Sequence, residues 1–250
     1  MSLSRLLTPL RGIVLLLALI LTLTALALIL AAPAAAQTMT TNGMVRRGNA
    51  YATGDGVAQS DSEAVRWFRA AAEGGNGLGM NNLGLMYRNG RGVAQSDSEA
   101  VRWYGAAAAG GNPGGMVNLG LMYRNGRGVA QSDSEAVRWF RAAAEGWNAR
   151  GMYNLGVAYE QGHGVAQNDS EAVRWFRAAA EGGETRGMSN LGFMYDAGRG
   201  VSRNAREAAR WVLQAERFGD RRFREHVSDW HPETRIEVQR QLRDAGHYTG

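Results

Sequence analysis

Two helical patterns of hydrophobic and polar positions alternate along this chain. Within residues 78–112, Met80, Leu83, Gly84 and Tyr87 follow the spacing i, i+3, i+4, i+7, so they form one stripe along a helix. The pattern predicts an amphipathic helix of about three turns, here called helix A. Four glycines like Gly84 recur inside this stripe in other copies of the pattern. We expect them to allow a close approach by a neighbouring helix, onto a Trp or Phe ring.

A second helix, helix B, follows a glycine turn. Gly90 and Gly92 are typical of a chain reversal that needs positive φ angles. Ser96 is then placed to cap helix B, and Glu99, three residues later, completes the pattern of a capping box. The apolar stripe of helix B comprises Ala100, Trp103, Tyr104, Ala107 and Ala108.

The pair of patterns repeats every 36 residues. The segment GVAQSDSEAVRWFRAAAEG begins at Gly56 and returns unchanged at Gly128, and close copies begin at Gly92 and Gly164. One pair of helices buries too few large side chains to offset the entropy of ordering about 36 residues at more than ~1 kcal/mol each. The sequence therefore predicts an all-α superhelical solenoid of five stacked helix-turn-helix repeats at residues 42–219, with C-terminal capping helices.

The N-terminal residues have the pattern of a secretory signal. Arg5 and Arg11 precede an apolar run, and the small residues Ala34 and Ala36 suit cleavage after Ala36. We expect a signal peptide at residues 1–36, a linker at 37–41, and a periplasmic or secreted protein. The run is also long enough for an uncleaved membrane anchor.

Composition narrows the function classes. The chain contains no lysine and no cysteine, so a Ser-Lys pair, a cysteine nucleophile and disulfides are excluded. Loss of Arg5 and Arg11 lowers the formal net charge from +5 to +3 (5 − 2). This small positive charge is scattered among acidic residues, so it does not indicate binding to nucleic acid. The four histidines lack the spacing of a helical zinc pair. We expect no catalysis, no metal and no cofactor.

The segment NLGLMYRNGRGVAQSDSEAVRWYGAAAAGGN resembles the Sel-one-like repeat (SLR), a relative of the tetratricopeptide repeat, and the resemblance covers residues 42–220. It implies a right-handed superhelix that serves as an adaptor for other proteins. Two departures stand out. Glycines such as Gly79 replace the family's alanine at the start of helix A, which we expect to loosen that turn. The paired cysteines of a secreted subgroup associated with penicillin binding are absent.

By this resemblance, helix A lines the concave side, where variable or polar residues could bind a partner peptide. Invariant asparagines in helix A suit an extended peptide backbone, or they bridge neighbouring helices. The charge in a nearby column changes from arginine to Glu160 and Asp196, which suits a bipolar peptide or is solvated surface. Trp147 replaces a linker glycine and is either an exposed binding hot spot or folded onto helix B. The candidate partner-binding residues are Asn82, Asn118, Asn154, Asn190, Arg88, Arg124, Tyr153 and Trp147.

Residues 220–250 depart from the repeat. The segment RRFREHVSDW occupies the place of a sixth helix A, and Pro232 opens a further helix. The segment VQRQLRDAGHYTG resembles the start of a peptidoglycan-binding module, but the chain ends before that module's remaining helices. We therefore read residues 220–250 as a C-terminal cap and the protein as a scaffold that binds an envelope protein or peptide in its concave groove. The alternative is a cell-envelope protein that contacts peptidoglycan through its C-terminal segment.

Overall fold

The computed structural model describes residues 39–225 and 227–245, and the predicted leader lies outside this range. The described residues form helices without strands, and five consecutive pairs of helices stack into a solenoid. We refer to the odd-numbered helices α1 to α9 as A helices and to the even-numbered helices α2 to α10 as B helices. Their bounds are α1 Thr41–Thr53, α2 Asp61–Glu73, α3 Gly77–Asn89, α4 Asp97–Ala109, α5 Pro113–Asn125, α6 Asp133–Glu145, α7 Ala149–Gln161, α8 Asp169–Glu181, α9 Thr185–Ala197 and α10 Ala205–Arg217.

Local signals set where the helices begin and end, as the sequence predicts. Ser96 accepts a hydrogen bond at 3.2 Å from the Glu99 backbone N–H and so caps α4. The carboxylate of Glu99 instead binds Arg102 at 2.9 Å, so only half of the capping box forms. Gly90, with φ of +65°, ends α3 in the left-handed conformation that the turn requires.

In the first four repeats, the glycines within the A helices lie against aromatic rings of the paired B helices, which confirms the predicted close approach there. In the last repeat, a Cβ added at Gly192 would instead lie 2.9 Å from Cγ2 of Val212. A Cβ added at Gly120 would lie 2.6 Å from Cε1 of Phe140, closer than carbon atoms can pack. The equivalent rings in other repeats are those of Phe68, Tyr104 and Phe176. These rings are fully buried, whereas most of the neighbouring tryptophans are half-buried. The residue after the tryptophan is therefore the deeper anchor of helix B.

The first turn of each later A helix packs tightly, and the expectation of a loosened turn is wrong. A Cβ added at Gly79 would lie 2.7 Å from the Cβ of Ala71 and 3.1 Å from the backbone nitrogen of Ala72. Since α2 passes this close, alanine would not fit without a shift of the helices. The glycines bring consecutive repeats together.

Arginines in the A–B turns join consecutive repeats by ion pairs. Arg91 donates from Nε to Oδ2 of Asp61, at the start of the preceding B helix, at 3.1 Å. Arg127 binds Asp97, and Arg199 binds Asp169, with the same geometry. The fourth repeat has His163 in this position, and among the described residues it forms no ion pair with Asp133.

The C-terminal tail covers the last repeat without forming a sixth A helix. It contains a short helix, α11 (Arg222–Glu225), a 3-10 turn (Val227–Asp229) and a full helix, α12 (Pro232–Asp244), packed on α10. Phe223 and Val238 are buried against Val212 of α10. Ser228 stands where the A helices have their interior glycine, so the sequence lacks the residue that lets a helix approach the stack closely.

Candidate binding face

The A helices lie on the inner side of the curved stack. The first four A helices contact one another directly, whereas consecutive B helices make no comparable contacts in the described part of the chain. The outer surface carries arginines paired with glutamates three residues earlier. Each of four of these arginines also lies over the ring of the next residue, tryptophan, at 4.3 to 4.6 Å. The exposed and half-exposed side chains of the A helices, here called the inner face, are thus the concave surface.

Two of the four candidate asparagines bridge helices beneath this surface. Asn118 is 4% exposed and donates to Oδ1 of Asn81 in the preceding repeat at 2.7 Å. Asn154 is 5% exposed, donates to the carbonyl oxygen of Arg150 at 2.7 Å and accepts from Arg124 at 3.4 Å. These bonds match the structural alternative for the two residues. Their role in binding a partner stays a prediction, and it requires a partner that displaces these contacts.

The other two asparagines are accessible. Asn82 is half-buried and donates to Asn49 in the first repeat at 3.2 Å. Asn190 is half-buried and accepts from Arg222 of the C-terminal tail at 3.3 Å. Both keep amide atoms at the surface that could bind an extended backbone.

Arginines gather in the middle of the inner face. Arg88 and Arg124 are half-buried, as is Tyr153, whose ring lies 4.8 Å from the Arg186 guanidinium. Arg150 has protein on several sides although water reaches it. This desolvation, together with the charges of Arg186 and Arg88, lowers its pKa. The middle of the face is therefore a basic surface with a tyrosine beside it.

Trp147 is exposed and is held in an unfavourable backbone conformation. Its side chain is 87% exposed, so it does not fold back onto helix B. It is the one residue other than glycine with positive φ (57°) in the described chain. Left-handed geometry costs a bulky residue about 1 kcal/mol or more. Of the two alternatives for Trp147, the structure therefore agrees with the exposed one, and contact with a partner stays a prediction.

A cavity of about 240 Å³, here called the end pocket, opens at the C-terminal end of the inner face. Phe193 of α9 and Trp230 of the tail form its apolar walls, with ring centroids 6.3 Å apart and an angle of 89° between the rings. Its polar lining includes Glu160, Asn190, Arg222 and Asp229. Burial raises the pKa of Glu160, and the nearby Arg199 opposes this effect.

The predicted change of charge along the inner face is present only in part. Glu160 remains half-buried at the edge of the end pocket. Asp196 is buried and accepts a hydrogen bond from the His231 backbone N–H, so the tail removes it from the surface. In the column that contains Arg88, Arg124, Glu160 and Asp196, Glu160 is therefore the acidic side chain that a partner with both charges would contact.

The model of one family, described as Sel1 repeat, matches residues 41–76, 77–112, 113–146, 149–184 and 185–217, well over half of the chain. The chain belongs to the Sel1 repeat family. Proteins built from Sel1 repeats are scaffolds that bind other proteins. No curated protein sequence matches the chain.

Solved structures agree with the Sel1 repeat fold. A protective antigen from uropathogenic Escherichia coli that displays an SLR fold is 34% identical, with a TM-score of 0.71 over 84% of this chain. The match covers 48% of the antigen, so the chain spans about half of that protein's length. A Sel1 repeat protein from Oxalobacter formigenes is 28% identical, with a TM-score of 0.72, over 83% of this chain and 89% of its own. An immunity protein from Pseudomonas aeruginosa, 22% identical, shares the fold with a TM-score of 0.55, over 72% of this chain and 66% of its own.

Two features of these Sel1 repeats were missed from the sequence. The end pocket depends on an irregular tail, which no period predicts. The ion pairs between repeats had a readable signal, because an aspartate and an arginine recur 30 residues apart in three copies. Within residues 39–225 and 227–245, no cluster of His, Cys, Asp and Glu could hold a metal ion, and no helix is long and apolar enough to cross a membrane.

Proposed function

We propose that this Sel1 repeat protein is a periplasmic or secreted scaffold that holds an extended segment of an envelope protein or peptide along its inner face. It acts without catalysis and without a cofactor. The observation that carries this proposal is the contrast between a constant framework and a changing surface. The interior glycine recurs in every repeat and faces a ring in the first four, whereas one half-exposed column changes from Arg88 and Arg124 to Glu160. In a second column, Tyr153 is half-exposed where Val117 of the preceding repeat is buried.

The basic middle of the inner face supports a partner segment with acidic or backbone acceptor groups. Arg88, Arg124 and Arg150 present guanidinium groups that donate several hydrogen bonds in a fixed plane. Tyr153 adds an aromatic surface of the kind enriched where proteins bind one another. Asn82 and Asn190, toward the two ends, offer amides to an extended backbone.

The test compares an inner-face variant with an outer-face variant of equal charge. Arg88→Glu combined with Arg124→Glu reverses two charges on the concave side, whereas Arg102→Glu with Arg138→Glu does the same on the convex side. Each immobilised chain is exposed to envelope extract, and the captured proteins are quantified by mass spectrometry. We expect the inner-face variant to lose at least ~10-fold of its capture, about 1.4 kcal/mol. Equal capture by both variants, with equal circular dichroism, would falsify the proposal.

Export follows from the leader pattern at residues 1–36, which supports periplasmic or secreted placement. The expected mature chain begins at Gln37. Mass spectrometry of the protein purified from its native host tests this point. A chain that retains residues 1–36 and fractionates with membranes would instead support the anchored form.

A second candidate function is contact with peptidoglycan through the C-terminal segment. It is supported by the sequence pattern from Val238 onward and by Ile236, which is 65% exposed on α12. Val238 itself is buried against the stack, and Gln241 donates to the Arg206 carbonyl oxygen, so α12 also serves as a cap. Since truncation would uncover the last repeat, the test uses Ile236→Asp and Gln239→Glu in a sacculus pull-down. Unchanged recovery would remove this function from consideration.

A further inference from the structure

We propose that the end pocket binds a single basic side chain, lysine or arginine, of the partner segment. This inference rests on the proposed function and specifies which residue anchors the partner at the C-terminal end of the inner face. It is drawn from the pocket's shape, its aromatic walls and the charge of its carboxylates.

The pocket exists because the last repeat differs from those before it. Leu85, Leu121 and Val157 occupy the position of Phe193 in earlier repeats, and each packs partly buried against the following repeat. Phe193 faces the irregular tail and remains 43% exposed. The cavity of about 240 Å³ is smaller than the roughly 300–1,000 Å³ of sites for whole small molecules, and it fits one side chain.

The charge at the pocket favours a cation. Arg199 binds both Asp169, at 2.9 Å, and Glu160, at 3.2 Å. One positive group therefore serves two carboxylates, which leaves a net negative charge beside the pocket. A second cation placed near Glu160 would balance it.

Arg222 does not present a free positive charge to an anionic guest. Its guanidinium binds the Asp220 carboxylate at 2.7 and 2.8 Å, and it also donates to Asn190. Burial acts to raise the pKa of Asp220, but hydrogen bonds from Arg222 and Ser189 outweigh it and hold the pKa at about 2. This pair is therefore intact at neutral pH, and the Asp220 carboxylate offsets the positive charge that Arg222 would offer to an acidic guest.

The aromatic walls complete the site. The rings of Phe193 and Trp230 stand nearly perpendicular, and Phe223 packs behind Trp230 with centroids 5.2 Å apart, which fixes the indole. A cation is attracted to aromatic faces, most strongly to tryptophan, and aliphatic stems pack well on them. Aromatic walls beside a net negative charge are the chemistry that recognises lysine and arginine.

The experiment uses small probes, so it does not depend on knowing the partner. The full mature chain is titrated with Nα-acetyl-arginine amide and Nα-acetyl-lysine amide while the indole N–H signal of Trp230, assigned with Trp230→Phe, is followed by nuclear magnetic resonance. We expect saturable shifts with dissociation constants on the order of 1–10 mM, typical of one anchored side chain. Nα-acetyl-citrulline amide, equal in shape and uncharged, should bind at least ~5-fold more weakly.

Two variants test the residues. Glu160→Gln should weaken arginine amide at least ~5-fold, whereas the matched Glu181→Gln, on an exposed helix end, should leave it unchanged. Phe193→Leu, which restores the residue type of earlier repeats, should also weaken binding while preserving the fold. The proposal is overturned by a shift of equal size with Nα-acetyl-glutamate amide, by indifference to Glu160→Gln, or by no shift up to about 50 mM. Probe binding without partner capture would instead count against the proposed function alone.

Discussion

The outer layer of B helices and the inner layer of A helices are built from helices of equal length, but their sequences vary to different degrees. The B helices α2, α6 and α8 share the sequence DSEAVRWFRAAAE, whereas no two A helices are identical. In the outer layer, an arginine pairs with the glutamate of its own helix and, in four helices, also lies over the tryptophan ring, so one arrangement can be copied. Side chains of the inner layer contact the neighbouring repeat or face the concave surface. Because these surroundings differ from one repeat to the next, the residues differ as well. Positions that are identical between repeats thus belong to the structural framework, and positions that vary belong to the surface that is available to a partner.

The largest expected effect is on the buried amide pair between A helices. Asn118→Ala removes the donor to Asn81 and leaves a buried oxygen unpaired, which should lower the free energy of unfolding by about 1–3 kcal/mol. Chemical denaturation measures the loss. Asn82→Ala, at the same column but half-buried, should cost less than ~1 kcal/mol. Equal costs at the two positions would contradict the division between buried bridge and accessible surface.

The next effect is a difference in sign between alanine substitutions at two helical glycines. Gly120→Ala forces a Cβ against the buried Phe140 ring, and overpacking outweighs the gain in helix propensity, for a net loss of about 1–2 kcal/mol. Gly105→Ala, in the middle of α4 with open space around it, should instead stabilise the protein by about 0.5–1 kcal/mol. Thermal unfolding of both variants checks the opposite signs. The same sign for both would show that the ring contact does not constrain the repeat.

A smaller effect is expected at Trp147. Trp147→Gly gives the linker the residue of the other repeats and relieves the positive φ, so the protein should gain about 1 kcal/mol in unfolding free energy. The measurement is urea denaturation, with Trp147→Ala as the control that keeps a Cβ. If Trp147 contacts the partner, the same variant should lose capture while it gains stability. A loss of stability would mean that the indole supports the fold.

The smallest effect concerns the turn of the fourth repeat. His163→Arg should restore the ion pair with Asp133 that the turns of neighbouring repeats form, for a gain of about 0.2–1 kcal/mol because the pair is partly exposed. Arg127→His, its mirror, should lose a similar amount. Differential scanning calorimetry at low and high salt tests this, since the gain should shrink as salt screens the pair.

The sequence was sufficient for the repeats because each local signal agrees with the next. The Ser96 cap, the Gly90 turn and the stripe of α4 all appear where the pattern places them. The period does not reveal how deeply a side chain sits between repeats, which is why Asn118 and Asn82 share a column but differ in burial. The end pocket could not be predicted from the period. Trp230 lies in the irregular tail, and its contact with Phe193 has no counterpart in the other repeats.

Each turn from the second repeat onward packs against the repeat that precedes it in the sequence, so these contacts point from the C-terminal toward the N-terminal end of the stack. A Cβ at Gly92 would overlap the Asp61 carbonyl group, and Arg91 beside it binds the Asp61 side chain, so the turn of one unit rests on the helix start of the unit before it. During translation, each turn from the second repeat onward therefore packs against a helix start that was synthesised about thirty residues earlier. The repeats can therefore pack in order from the N-terminal end while the chain is being synthesised.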